Sequence, residues 1–193
     1  MAREESDSGR RNPATAEAIV DLLNSRPHGT AFPETLQDPE TASAVLRPFG
    51  QPATERPSPQ RMAKIRALRT TLMDIITAPD GAAAPGWAQL AERASSVTLR
   101  QDFPEPGKVR LRQVGGDPVL GGITLAVAEL VSDGTWPRIR ICANVRCDHA
   151  FYDTTRSRTQ RWHAYDTCGN KSNVAAYRAR KKAGAAATGD SSR

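Results

Sequence analysis

Apolar residues recur at helical spacing along much of the chain. In Ala14–Asn24, Ile19, Leu22 and Leu23 fall on one face, and Thr15 or Asn12 can cap the start. In Pro59–Thr77, Met62, Ile65, Leu68, Leu72, Ile75 and Ile76 form a stripe, with Arg61, Lys64, Arg66 and Arg69 mainly off it. Pro79-Asp80-Gly81 ends that helix, and a shorter one is expected over Trp87–Ala94. Asp117 caps a further helix from Pro118 to Val131, whose buried face is Leu120, Ile123, Val127, Leu130 and Val131. The period changes to two in Ser96–Phe103 and Lys108–Val114, which predicts a hairpin turning at Pro104-Glu105-Pro106-Gly107. Trp136–Ile141 alternates as well and reads as a short strand. Between Ser25 and Gln60 the periodicity fails and prolines recur. This predicts a Pro-rich loop, about 27–60, with one helical turn around Glu40–Leu46.

These elements predict an α+β chain. A mostly helical N-terminal domain with a small β-hairpin spans 13–135, and a small C-terminal module spans 136–182. The polar stretches 1–12 and 183–193 are expected to be disordered tails. No apolar run reaches the roughly 18 residues that a membrane span needs, so no membrane partner is expected. Residues 1–11 lack the apolar segment of a secretory signal, which makes the cytoplasm the expected location.

Composition changes the picture in one place. Apolar residues are 38% and aromatics only 5%, enough for a modest core. Charge is unevenly spread. Residues 138–182 hold 11 Lys/Arg and 3 Asp/Glu, a net +8, whereas the rest of the chain holds 16 and 18, a net −2. A near-neutral body carrying a basic module points to a polyanionic partner.

All three cysteines also lie in that module, an arrangement suited to metal or reactive thiols rather than a disulfide framework. Cys142, Cys147, His163 and Cys168 have the spacing C-x4-C-x15-H-x4-C. Two close pairs can surround one Zn²⁺ tetrahedrally, and four protein donors leave no open position, so the metal would be structural. His149 is a rival to His163, and idle buried cysteines are the bland alternative. The first pair brackets a turn, Ala143–Arg146. The second pair sits at a helix start, where peptide N–H groups can meet a thiolate and Asn170 can cap. Gly169 permits close backbone approach to sulfur. The large core candidates of the module are Ile139, Ile141, Phe151, Tyr152, Trp162, Tyr165, Val174 and Tyr177. Segments this small rarely fold without a staple. Asp153 is expected to cap a loop or pair with an arginine, and Arg161 to stack on Trp162 if it is not on DNA.

The run from Cys142 to Ala183 resembles the CGNR zinc finger of bacterial transcription regulators. The residues that carry the resemblance are Cys142, Cys147, Phe151, Asp153, Thr155, Arg156, Arg161-Trp162, Cys168-Gly169-Asn170 and Tyr177-Arg178-Ala179-Arg180. His163 stands where the family has its third cysteine, and Lys171 where it has the arginine of the name motif. Ser172, Asn173 and Ala175-Ala176 stand where relatives are often basic, a departure that should weaken DNA affinity or alter its specificity. Members often carry an ABATE-type sensory domain ahead of the finger. Its opening helix is similar to Asp21-Leu22-Leu23-Asn24-Ser25, and its Arg-rich helix to Ile65-Arg66-Ala67-Leu68-Arg69.

The resemblance implies a DNA-binding transcription regulator with one structural Zn²⁺ and double-stranded DNA as partner. The contacts expected are Arg156, Arg158 and Arg161 from the loop, and Lys171, Arg178, Arg180, Lys181 and Lys182 from a helix over about 170–182. Val174 and Tyr177 are expected to face inward. The competing reading is a module that docks on RNA polymerase or another regulator, and a homodimer is open. No catalytic constellation is visible outside the metal motif, so no enzyme is expected.

Overall fold

The computed structural model describes residues 13–28, 32–170, 173, 174, 178 and 181. The tails expected at 1–12 and 183–193 lie outside the described residues, as do Lys171, Tyr177, Arg180 and Lys182.

Helix α1 spans Ala14–Asn24 and α3 spans Pro59–Thr77, both at the bounds the periodicity predicts. Proline at the first turn of α3 needs no N–H partner, and the Ser58 hydroxyl accepts from Arg61 N. At α1 the expected cap is not used: Pro13 stands there, and the Thr15 hydroxyl donates instead to Glu129 of α5. Helix α5 spans Pro118–Ser132, and the Asp117 carboxylate accepts from both Val119 N and Leu120 N. Helix α4 begins earlier than expected, at Ala84–Ala94. Strands β1 (Thr98–Glu105) and β2 (Lys108–Gly115) form the expected antiparallel hairpin.

The Pro-rich segment holds the helical turn expected around Glu40–Leu46 as α2 (Pro39–Leu46), and departs from the expected loop in 3₁₀ turns at Thr35–Gln37 and Arg47–Phe49. These bury Leu36, Ala42, Leu46 and Phe49 against α1, α3 and α5. Isolated apolar residues among prolines give no periodic signal, yet the prolines start these short elements rather than break them. Gly122 of α5 has a related reason: a Cβ there would meet the Phe49 carbonyl oxygen at 2.2 Å. Val131, expected inside, is 46% exposed in the last turn of α5.

One core joins Ile19, Leu22 and Leu23 of α1, Ile65, Leu68 and Leu72 of α3, and Val119 and Ile123 of α5. Buried within it, Arg69 donates to Ser25 Oγ at 2.7 Å and to both oxygens of Glu34 at 2.9 and 2.5 Å. These bonds satisfy a guanidinium that would otherwise be costly to bury.

The strand expected over Trp136–Ile141 starts as a 3₁₀ turn, Trp136–Arg138, before β3 (Ile139–Ile141). It pairs antiparallel with β4 (Ala150–Tyr152), a strand the sequence did not suggest. Alternation gives this ribbon two different faces. Ile139, Ile141, Ala150 and Tyr152 pack on the core of the helical body, whereas Phe151 joins Cys142, Cys168 and Trp162 in a separate cluster. The ribbon is thus a layer shared by two cores.

Candidate metal centre

Four donors converge beyond the shared ribbon. The Sγ atoms of Cys142, Cys147 and Cys168 and a ring nitrogen of His163 all lie within 4.8 Å of one another. His163 Nδ1 is 3.4 Å from Cys147 Sγ and 3.8 Å from Cys168 Sγ. A tetrahedral zinc, with Zn–S about 2.3 Å and Zn–N about 2.05 Å, sets sulfur–nitrogen edges at about 3.6 Å. The donor spacing therefore fits the ion.

Local backbone bonds place each donor. Cys142 leaves β3 with its N–H on the His149 carbonyl at 2.8 Å, and Cys147 N donates to Asn144 O at 2.8 Å to close the expected turn. Cys168 lies inside a π-type turn, Tyr165–Gly169, begun at Ala164. Asn170 follows that turn in helical conformation and so is not the cap. The peptide N–H that meets a thiolate comes from His149 and serves Cys147; at Cys168 the Thr167 hydroxyl approaches Sγ at 3.9 Å. Gly169 is required by the Tyr165 ring, whose Cδ2 a Cβ would meet at 2.6 Å, rather than by a sulfur.

The electrostatics ask for a cation. Burial, together with the neighbouring Cys168 and Cys142 thiols, pushes Cys147 up to about 12 despite the His149 N–H. Burial also opposes ionisation at Cys168, but donors including Asn144 and Thr167 bring it below the ordinary thiol value. Three clustered thiols cannot all ionise unless a positive charge sits among them, and a zinc ion supplies it. Burial, with the neighbouring His28, lowers His163, which favours the neutral imidazole that a metal takes.

His149 is fully engaged elsewhere and is not a ligand. Asn24 Nδ2 donates to His149 Nε2 at 3.1 Å, which leaves the proton on Nδ1. That Nδ1–H faces His28 Nε2 at 3.0 Å, and His28 Nδ1 in turn donates to Arg26 O at 2.8 Å. Burial first, then the nearby His163, His28 and Arg26, lowers His149 to about 4, so its ring is neutral. The same Asn24 amide donates to Ala150 O at 2.9 Å and accepts from Ala150 N at 2.8 Å, as a neighbouring strand would. Arg26 donates to the Asp148 carbonyl. Residues 24, 26 and 28 thus fasten residues 148–150 of the metal module to the end of α1. The sequence reading missed this seam, although Asn24 was part of the resemblance.

The loop after β4 is built on Asp153, which is fully buried. Its Oδ1 accepts from Thr155 N at 2.9 Å and Oγ1 at 2.5 Å; its Oδ2 accepts from Gln160 N at 3.0 Å and Arg140 at 3.3 Å. Burial opposes the charge, but these donors hold the carboxyl below the usual range. Asp153 is thus both loop cap and arginine partner. Arg138 and Arg140, which sequence reasoning did not single out, brace the loop through Asp153 O, Thr155 O and Arg158 O.

Arg156, Arg158 and Arg161 are exposed on this loop, and Arg178 and Lys181 are exposed and helical. None of the five has a carboxylate within ion-pair distance among the described residues. The Arg161 guanidinium lies 5.2 Å from the Trp162 ring centroid. Lys171, Arg180 and Lys182 cannot be placed with them, since they lie outside the described residues. Val174 is 48% and Tyr165 59% exposed, contrary to their expected inward packing. With Ile139, Ile141 and Tyr152 given to the body, Phe151 and Trp162 are the large apolar residues packed around the donors among the described residues.

No curated protein matches this chain. Residues 138–181 match the family model of the CGNR zinc finger, a span that includes all four donors and the Asp153 loop. The match does not extend to residues 13–135, whose likeness to ABATE rests on the resemblance already described. The stretch from Arg138 to Lys181 therefore resembles a CGNR zinc finger along its length, and its Cys3His donor set suits one structural zinc.

Proposed function

We propose that the protein is a DNA-binding transcription regulator of bacterial type, acting in the cytoplasm, in which the zinc finger contacts double-stranded DNA and the helical body carries a regulatory role. The observation that carries this reading is the array of exposed cations on the finger. Arg156, Arg158, Arg161, Arg178 and Lys181 are free of carboxylate partners among the described residues, on a module of net +8. A polyanion is the partner that such an array suits. Most of these groups contact phosphates in this reading, and Lys171, Arg180 and Lys182 extend the array in sequence. Zinc holds the loop and helix together and takes no part in chemistry, and the chain has no enzymatic role.

The test is a DNA shift assay across salt concentrations. Each phosphate contact contributes about 0.9 to the slope of log affinity against log salt. Arg178→Ala/Lys181→Ala should lower that slope by about 1.8. Equal slopes for the variant and the parent protein would remove the helix from the interface.

A second reading is supported by exposed apolar side chains on the same module. Val145 is 87% exposed, and Tyr165 and Val174 of the same module are exposed as well. Such groups suit docking on RNA polymerase or another regulator. A partner retained after nuclease treatment, by a chain that does not hold DNA, would favour this reading.

A further inference from the structure

We propose that the cleft between the end of α3, the start of α4 and β3 binds a small aromatic carboxylate, with Arg158 as its anion contact. The cleft has a volume of about 760 Å³, within the range that small-molecule sites occupy. Ile75 and Ile139, both buried, are among its apolar lining. Trp87 and Trp136 add two indoles, with ring centroids 5.6 Å apart and planes tilted by 60°. Tilted rings of this kind receive a third aromatic ring on a face or an edge.

The polar lining selects the sign of the ligand. Arg140 and Arg158 both line the cleft. Arg140 is occupied by Asp153 at 3.3 Å and by the Arg158 carbonyl at 2.9 Å. Arg158 has no carboxylate partner among the described residues. Its backbone is left-handed, with φ at 55°, a conformation that suits glycine or asparagine better than arginine. The bond from Arg140 and the Arg158 N–H on Thr155 O at 3.3 Å fix that backbone. Arg158 is therefore fixed at the rim of the cleft through a backbone conformation that arginine does not favour, with its exposed side chain left for a ligand. Asp80, also in the lining, follows the C-terminal end of α3, and both are negative. They disfavour a second anionic group there, which points the single carboxylate toward Arg158.

The site joins the helical body to the finger, and Arg158 is also one of the proposed phosphate contacts. A bound carboxylate would withdraw one cation from DNA, so the ligand would weaken DNA binding. This coupling rests on the proposed function; the binding site itself does not.

Calorimetry on the full chain, with zinc and without DNA, tests the site using benzoate, phenylacetate and 2-naphthoate against phenethylamine and 2-phenylethanol. The carboxylates should bind, with a change in tryptophan fluorescence on adding phenylacetate, and the amine should not. Arg158→Gly removes the guanidinium while suiting the backbone, and it should weaken phenylacetate about tenfold, as loss of a charge-assisted bond implies. Absence of carboxylate binding at millimolar concentration overturns the site. So does equal binding of the amine, or a glycine variant that binds as the parent does. A shift assay with saturating phenylacetate then tests the coupling. Lower DNA affinity with a salt slope smaller by about one supports it, and unchanged affinity overturns it. Failure to retain DNA at all counts against the proposed function, while the calorimetry still decides the site.

Discussion

The helical body and the zinc finger are held together by different means. The body buries a continuous set of aliphatic side chains, with Ile19, Leu22, Leu23, Ile65 and Leu72 fully enclosed. Around the four donors, among the described residues, only Phe151 and Trp162 supply large apolar surface, and the strands beneath lend their other face to the body. Apolar burial scales with area and is spread over many residues. A metal concentrates the stabilisation in four bonds, so it can order a segment that has little apolar surface of its own. The difference teaches that the finger owes its shape to two external supports, the ion and the seam to α1.

Removing the ion should break the comparison most. Cys142→Ser, or chelation, forfeits a contribution of roughly 10–16 kcal/mol. The expected outcome is loss of zinc by mass spectrometry and rapid proteolysis after residue 141, while the helical circular dichroism of the body persists. Collapse of both regions together would show that the body depends on the metal as well. The converse is Leu72→Ala, which opens a cavity in the body and should cost about 2–5 kcal/mol in denaturant unfolding, with zinc still bound one to one.

The seam offers a smaller and sharper test. Asn24→Ala leaves the Ala150 N–H and C=O without their side-chain partner and takes a donor from His149. A buried unsatisfied group costs about 1–3 kcal/mol. Hydrogen exchange should accelerate at residues 148–152, with zinc content and body exchange unchanged. Exchange that stays slow there would mean that the seam does not hold the finger.

Acid should reach the body through its carboxylates. At Glu34 and at Asp117, burial opposes ionisation, but bonds from Arg69 and Leu36 N in one case, and from Arg61, Leu120 N and Val119 N in the other, outweigh it. Both groups are therefore lowered from ordinary values of 4.5 and 3.8. A depressed carboxyl contributes stability that is present above its ordinary value and lost as pH falls through the folded one. Body stability should thus hold down to about pH 4.5 and decline below it, and Asp117→Asn should flatten that decline. The Asp117→Asn effect itself is the smallest of the four, since asparagine retains a capping oxygen.

Much of the body was legible in the sequence. The bounds of α1 and α3 coincide with their apolar stripes, and Asp117-Pro118 marked the start of α5, because cap and stripe are local signals. Within residues 35–49 the helical stretch around Glu40–Leu46 was legible, but the 3₁₀ turns on either side of it were not, because their buried side chains are too sparse to set a period. In the finger, the four donors were legible from spacing and residue type. The inward packing expected for Tyr165 and Val174 was wrong: apolar character alone does not say whether a neighbouring surface exists to cover it. The spacing favoured His163 over its rival His149, because His163 pairs with Cys168 as Cys142 does with Cys147. The structure agrees: His163 joins the three sulfurs, while both His149 ring nitrogens are engaged by Asn24 and His28.

The sequence by itself determined the helices, the zinc donor set and the concentration of positive charge, because each depends on residue type and short spacing. The tertiary structure decided which core receives Ile139, Ile141 and Tyr152, how residues 24–28 clasp residues 148–150, and that a cleft forms beside Arg158. These depend on surfaces brought together from positions far apart in the chain, more than a hundred residues at the seam, and a three-residue strand carries no local mark of which neighbour each of its faces will meet.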